Sequence, residues 1–178
     1  MNFIENKVLK EIQFYITKEY SCGYINSQNA QSIVATPYKN INSKNFKNLI
    51  SQGFRRSGQY VYKPSCKNCS ACIPIRLLAS NFKASRSQKR VKKYLDKLSI
   101  KLLPLTFDEE HYNLYVDYQN KRHRNDNKSE DDIADYNDFL ITSNVNSKLV
   151  EFRLNNQLKM VTIIDIINDG ISAVYTFY

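Results

Sequence analysis

The plainest pattern lies at the far end of the chain, where Leu149 to Leu154, Leu158 to Ile167 and Ile171 to Tyr178 form three apolar runs. Asn155-Asn156-Gln157 and Asn168-Asp169-Gly170 separate them. Both suit tight hairpin turns, so the runs predict an antiparallel meander. Upstream the period changes. Phe46, Leu49 and Ile50 repeat at helical spacing behind Ser43, a candidate N-cap, and Gly53 stands where a C-terminal cap glycine belongs. Val91, Leu95 and Leu98 share one face of the segment Ser85 to Leu98, and Arg86, Lys89, Arg90, Lys92, Lys93 and Lys97 fill the rest. That is a basic amphipathic helix with Ser85 or Ser87 as its cap.

From Asp108, the stripe Tyr112, Tyr115 and Gln119 predicts a helix that ends near Lys121 to Arg124, and Tyr136, Phe139 and Leu140 follow at the same spacing. Gln59 to Tyr62 alternates as a strand that Pro64 ends, Ile73 to Leu78 reads as a second short strand, and Ile100 to Leu105 is extended. Asn26 to Asn45 reads as polar and turn-rich. Val8, Leu9, Ile12, Phe14 and Ile16 supply the inward side of an opening element of unassigned type. The composition shifts near residues 98 to 106, which divides the chain into units 1–98 and 99–178 and predicts an α+β fold.

With 178 residues, 42% of them hydrophobic, there is apolar material for one large core or two small ones. The 26 Lys and Arg against 17 Asp and Glu give a formal net charge of +9, which favours polyanionic partners, nucleic acid first among them. A solvated, lysine-rich surface is the plainer explanation. The apolar runs fall short of the roughly 20 residues that span a bilayer, and Met1 to Lys7 lacks the order of a signal peptide, so a soluble, cytoplasmic protein is expected.

In that reducing compartment, clustered cysteines are metal ligands or redox thiols more often than a disulfide framework. Cys66, Cys69 and Cys72 repeat every third residue, so a tight non-helical turn can aim three sulfurs at one point, with Cys22 as a fourth. Four thiolates suit Zn²⁺ or an iron–sulfur cluster, and spacing does not separate the two. Burial of some of these thiols as small hydrophobes is the competing explanation.

Arg55 and Arg56 stand between Gly53 and Gly58, where backbone can approach a ligand closely and guanidinium forks can grip phosphate or carboxylate oxygens in pairs. At the start of the basic helix, backbone N–H donors and the positive dipole end join Arg86, Lys89 and Arg90 as the makings of a phosphate site. Arg122-His123 can bind an anion or relay a proton. His111 has no evident partner and reads as structural.

Together these residues resemble the aminoacyl-tRNA–protein transferases, the family of arginyltransferases and bacterial aspartate/glutamate leucyltransferases. The match runs through Gly53-Phe54-Arg55-Arg56-Ser57-Gly58, Tyr62, Pro64, Cys66, Cys69, Ala71-Cys72, Pro74 and Arg76, then Phe82, Ser85-Arg86-Ser87-Gln88 and Arg90. It continues in Tyr118-Gln119, Arg122-His123, Tyr136, Phe139 and the closing Ser172 to Phe177.

The resemblance implies a cysteine-bearing N-terminal domain over 1–98, followed over 99–178 by a GNAT-like acyltransferase domain that takes aminoacyl-tRNA where its relatives take acyl-coenzyme A. It implies leucyl transfer to proteins beginning with Asp or Glu, a step of N-degron protein degradation, with arginyl transfer as the alternative. An iron–sulfur cluster or zinc would sit on Cys22, Cys66, Cys69 and Cys72. Arg55, Arg56, Arg76, Arg86, Lys89 and Arg90 would bind tRNA phosphates or the acidic N-terminal residue, and Arg122, His123 and Asp165 would lie near the chemistry.

Three departures from the family pattern stand out. Asn26-Ser27-Gln28 replaces a Pro-Gly-Arg-type turn, Asp126-Asn127-Lys128 replaces the Gly-x-Met that usually follows Arg-His, and the family continues for several dozen residues past Tyr178. The expectation is therefore a C-terminally incomplete chain whose last strand is uncovered and which, by itself, self-associates and transfers no leucine. The rival from another class is a non-catalytic, metal-stabilised RNA-binding module, which has no need of the meander.

Overall fold

The computed structural model describes residues 12–122 and 132–178, which form two four-stranded sheets and a small hairpin. The N-terminal unit runs β1 (Gln13–Ile16), β2 (Tyr20–Ser21), β3 (Asn29–Ala30), β4 (Ser32–Thr36), helix α1 (Ser43–Ser51), β5 (Arg55–Ser57) and β6 (Tyr60–Pro64). Its main sheet has the order β1-β4-β6-β5 with every pair antiparallel. The stretch expected to be polar loop thus supplies two strands. Ser32-Ile33-Val34-Ala35-Thr36 is short and β-branched, and turn residues on both sides hide it.

Helix α1 begins one residue earlier than the expected cap. Asn42, not Ser43, accepts from the Lys44 and Asn45 N–H groups, while Asn45 Oδ1 accepts from the Asn42 N–H. This reciprocal pair satisfies donors that a helix start leaves open. Gly53 ends the helix at φ +88°, a left-handed conformation that glycine adopts without a Cβ clash. Phe46 and Leu49 turn inward and join Ile12, Ala35, Ile41, Phe54 and Val61 in the first core. Burial of such a side chain stabilises by about 1.5–3 kcal/mol. Of the apolar opening residues, Ile12 is buried, Phe14 and Ile16 are exposed, and Val8 and Leu9 lie outside the described residues.

Successive strand residues point to opposite faces, so Arg55 and Arg56 diverge. The register sets Arg56 in a row with Val61, Ala35 and Phe14 on the core side, and Arg55 in a row with Tyr62, Val34 and Tyr15 on the outer side.

Past β6 the chain leaves the sheet. Ile73 to Leu78, expected as a strand, is irregular and exposed, with Ile75 93% accessible. Pro74 removes a ladder donor, and no strand among the described residues lies alongside to pair with it. Helix α2 (Arg86–Leu95) follows; Ser85 is its cap, paired reciprocally with Gln88, and none of its residues is buried.

The C-terminal unit runs β7 (Ser99–Pro104), α3 (Glu109–Arg122), α4 (Ile133–Tyr136), a wider π turn over Asn137–Ile141, then β8 (Ser147–Leu154), β9 (Gln157–Ile167) and β10 (Gly170–Phe177). The sheet order is β10-β9-β8-β7. The meander falls where its pattern predicts, and the extended segment at 99–104 adds a fourth strand. Asn155 and Asn156 take φ of +49° and +66°, the paired left-handed residues of a hairpin turn that matches strand twist. From the helical side, Tyr115, Tyr136 and Leu140 pack on Leu149, Val161, Ile163 and Phe177 as a second core. Separate helices on antiparallel sheets make the fold α+β. No described helix is long and apolar enough to cross a membrane.

Candidate functional site

A heavily bonded, buried charge pair sits at the junction of the two units. Arg56 reaches from β5 to β9, where its Nε lies 2.9 Å from Asp165 Oδ2 and its Nη2 2.8 Å from Asp165 Oδ1. Its Nη1 donates to the Gly58 carbonyl at 2.7 Å and the Thr142 carbonyl at 3.3 Å. Ser147 Oγ donates to Asp165 Oδ1 at 2.5 Å. Both charged side chains are almost completely buried. A charge pair in that setting persists only when further hydrogen bonds satisfy it, and here they do.

Gly58 explains why the junction closes so tightly. Its N–H donates to the Phe139 carbonyl at 2.8 Å, and a Cβ at this position, φ +56°, would lie 2.0 Å from the Asp138 carbonyl oxygen. The π turn contributes as well. Widening the helix frees the Phe139 carbonyl for Gly58, while Thr142 N–H returns to Asn137. Around this centre, Asn146 N–H donates to Ser43 Oγ, Asn144 to the Tyr38 carbonyl, and Lys47 pairs with Asp169.

One site expectation is corrected here. Arg56 is no open anion gripper, because its donors are committed to Asp165 and two carbonyls. Asp165, expected near the chemistry, is buried with its oxygens holding Arg56 and Ser147. Arg55 is half-buried on the outer face, and its guanidinium makes no hydrogen bond or ion pair among the described residues. Arg76, Arg86, Lys89 and Arg90 are likewise exposed and unpaired among the described residues. Arg122 donates to the Tyr178 hydroxyl at 2.6 Å and its guanidinium lies over that ring, which ties α3 to the end of β10. His123 lies outside the described residues.

The four cysteines gather at one side of the N-terminal unit without forming a ligand set. Cys66 Sγ donates to the Gln31 carbonyl at 3.8 Å, Cys69 lines a polar cleft of about 370 Å³ with Glu19, Gln28, Gln31 and Lys67, and Cys72 lies toward Tyr62. All four are free and half-buried. Among the described residues, no three His, Cys, Asp or Glu side chains meet as a group able to hold a metal.

One buried polar group had no signal in the sequence. His111 Nε2 lies 2.7 Å from Glu151 Oε1, and Arg153 donates through Nε to Glu151 Oε2 at 2.8 Å before reaching Glu110 at 2.6 Å. The Arg153 hydrogen bond leads the causes that hold the Glu151 carboxyl down at about 2, with His111 adding to it. A carboxylate only accepts, so His111 donates from Nε2. Only the pairing of β8 beneath α3 brings these residues together, forty positions apart. Tyr136 sits in the same unit with its hydroxyl buried and unpartnered among the described residues, and burial pushes its phenol well above the ordinary range.

Two family models match the chain, "Arginine-tRNA-protein transferase, N terminus" over residues 20–90 and "Arginine-tRNA-protein transferase, C terminus" over residues 110–178. The aspartate/glutamate leucyltransferase of Methylobacillus flagellatus is 50% identical over 170 residues, 96% of this chain and 68% of that protein. The enzyme of the same name from Chromobacterium violaceum is 46% identical over 167 residues, 94% of this chain and 69% of that protein. The chain belongs to the arginine-tRNA-protein transferase family. The first family segment carries Arg55, Arg56, the cysteine turn and the start of α2; the second carries α3 through β10, including Asp165. The buried Arg56–Asp165 pair therefore joins the two family segments to each other.

Proposed function

We propose that this chain moves leucine from its tRNA ester to the α-amine of a protein that begins with Asp or Glu. The observation that carries the reading is the likeness, at up to 50% identity over nearly the whole chain, to enzymes named for that transfer. The reaction needs no covalent intermediate on the protein. The amine nitrogen bonds to the ester carbonyl carbon, the ribose oxygen leaves, and the amine's proton ends on that oxygen or in water. Binding energy is then best used to align two reactants, one of which is large and anionic.

Each named residue takes a part in that alignment. Arg76, Arg86, Lys89 and Arg90, exposed and unpaired among the described residues, engage tRNA phosphates, and Arg55 does so on the outer sheet face. Arg56 and Asp165 hold the two units in one orientation and touch neither substrate. The four-stranded meander with α3 and α4 on one face supports a GNAT-like reading of the second unit. Charged tRNA and nascent or cleaved proteins meet in the cytoplasm, where we place the reaction. No step is routed through the cysteines.

The test is transfer of labelled leucine from charged tRNA to peptides that begin with Asp, Glu or Ala, with arginyl-tRNA as a second donor. Leucine incorporation confined to the Asp and Glu peptides supports the proposal. Incorporation of arginine in place of leucine would assign the other donor, and tRNA binding without any transfer would favour either a binding module or the incomplete chain expected from the sequence.

A further inference from the structure

The outer face of the N-terminal sheet has a composition that its architecture does not require. Registered side by side across four strands are Tyr15, Val34, Tyr62 and Arg55, with Tyr60 two residues away along β6 on the same face. Tyr15 is 56% exposed, and its hydroxyl donates to Gln13 Oε1 on the same strand. The β2–β3 hairpin lies on this face, since the Tyr20 hydroxyl bonds Ser32 Oγ at 2.7 Å. The hairpin also presents Tyr24, 80% exposed. Tyr20 and Tyr24 lie close enough to Tyr62 to act on its phenol, which burial already raises. Tyr15 and Tyr62 are two strand spacings apart, about 10 Å, so neither ring covers the other.

We propose that this face binds unpaired nucleotides of RNA, with Tyr15 and Tyr24 stacking on bases and Arg55, at the opposite edge of the sheet from Tyr15, meeting the backbone. Exposed rings beside an unpaired guanidinium, on a chain of net charge +9, suit a polyanion whose units each offer a flat aromatic face. A protein partner would want apolar side chains to bury here, and the row offers Val34 alone. The inference deepens the aminoacyl-tRNA reading and rests on it: the single-stranded 3′ end of a tRNA supplies such nucleotides.

The experiment measures affinity of the full 178-residue chain for an intact tRNA and for the same tRNA lacking its unpaired 3′ nucleotides. Tyr15→Ala and Tyr24→Ala are compared with Tyr15→Phe, which keeps the ring. Loss of a stacked base weakens binding by roughly 5- to 150-fold. We expect that loss for each alanine variant with intact tRNA, little loss for Tyr15→Phe, and no further loss for any variant with the shortened tRNA. Thermal melts confirm that each variant folds. Unchanged affinity of both alanine variants for intact tRNA, or equal losses with both RNAs, would overturn the proposal while the tRNA reading stands. Absence of tRNA binding by the unaltered chain would sink both. A concentration-dependent dimer that Tyr15→Ala dissolves would assign the face to a second copy and overturn it too.

Discussion

Arg55 and Arg56 are neighbours in one strand of three residues, yet the molecule uses them in opposite ways. Arg56 turns into the junction, where a carboxylate and two carbonyls consume its donors, and it is nearly inaccessible. Arg55 turns outward among tyrosines with its guanidinium unpaired among the described residues. The same contrast separates the junction from α2, whose cations are all exposed. Two glycines and two arginines in a row suggested one anion site; alternation of the strand splits it into a structural half and an open half. Charge alone marks neither, whereas burial and the presence of a partner mark both.

The sharpest way to break the structural half is Gly58→Ala. Its Cβ would meet backbone at 2.0 Å from a left-handed residue, so the π turn must move away and loosen the Arg56 contacts with it. The expected loss exceeds about 3 kcal/mol in chemical denaturation. Asp165→Ala, which strands a buried guanidinium, is expected to cost about 3–5 kcal/mol, and the pair Arg56→Met with Asp165→Leu to cost much less than either single change, measured by the same denaturation curves. If Asp165→Ala left stability unchanged and abolished transfer, the carboxylate would have a chemical role after all.

Next in size is a pH effect in the second unit, away from the junction. Glu151 has a folded-state pKa of about 2 against an ordinary 4.5. Its carboxylate therefore stabilises fully above about pH 4.5, and the contribution fades as the pH falls from there toward 2. It amounts to on the order of 3 kcal/mol. Denaturation midpoints of Glu151→Gln should be lower at neutral pH and flatter than the unaltered chain's across that window. The smallest expected change in stability, within about 0.5 kcal/mol, belongs to Arg86→Ala, Lys89→Ala and Arg90→Ala on α2. Their effect should instead appear in tRNA binding, as a weaker affinity and a salt slope reduced by about one per lost phosphate contact.

Elements with strong periodicity are legible in the sequence: the meander, α1 with its closing Gly53, α2, and the run of α3 through Tyr112, Tyr115 and Gln119. The strand β4 is not, because Ser32 to Thr36 is a short segment among turn formers and becomes a strand only by pairing with β1 and β6. Ile73 to Leu78 fails in the other direction, since apolar residues without a neighbouring strand to pair with stay irregular. At the site, the residue types are visible in the sequence but their facing is not. Arg56 and Asp165 stand 109 positions apart, and His111 and Glu151 forty; nothing local encodes either pairing. Equal spacing of Cys66, Cys69 and Cys72 suggested convergence, and spacing alone does not say where a turn aims its thiols.

That strand alternation divides these two arginines between structure and binding is tested most directly by making Arg55→Ala and Arg56→Ala and measuring each for stability and for the salt dependence of tRNA binding. Arg55→Ala should keep its denaturation midpoint and lose affinity and salt slope. Arg56→Ala should lose about 3–5 kcal/mol of stability and, under conditions where it remains folded, keep the salt slope of the unaltered chain. A shallower slope in Arg56→Ala with its stability intact would contradict this division of roles.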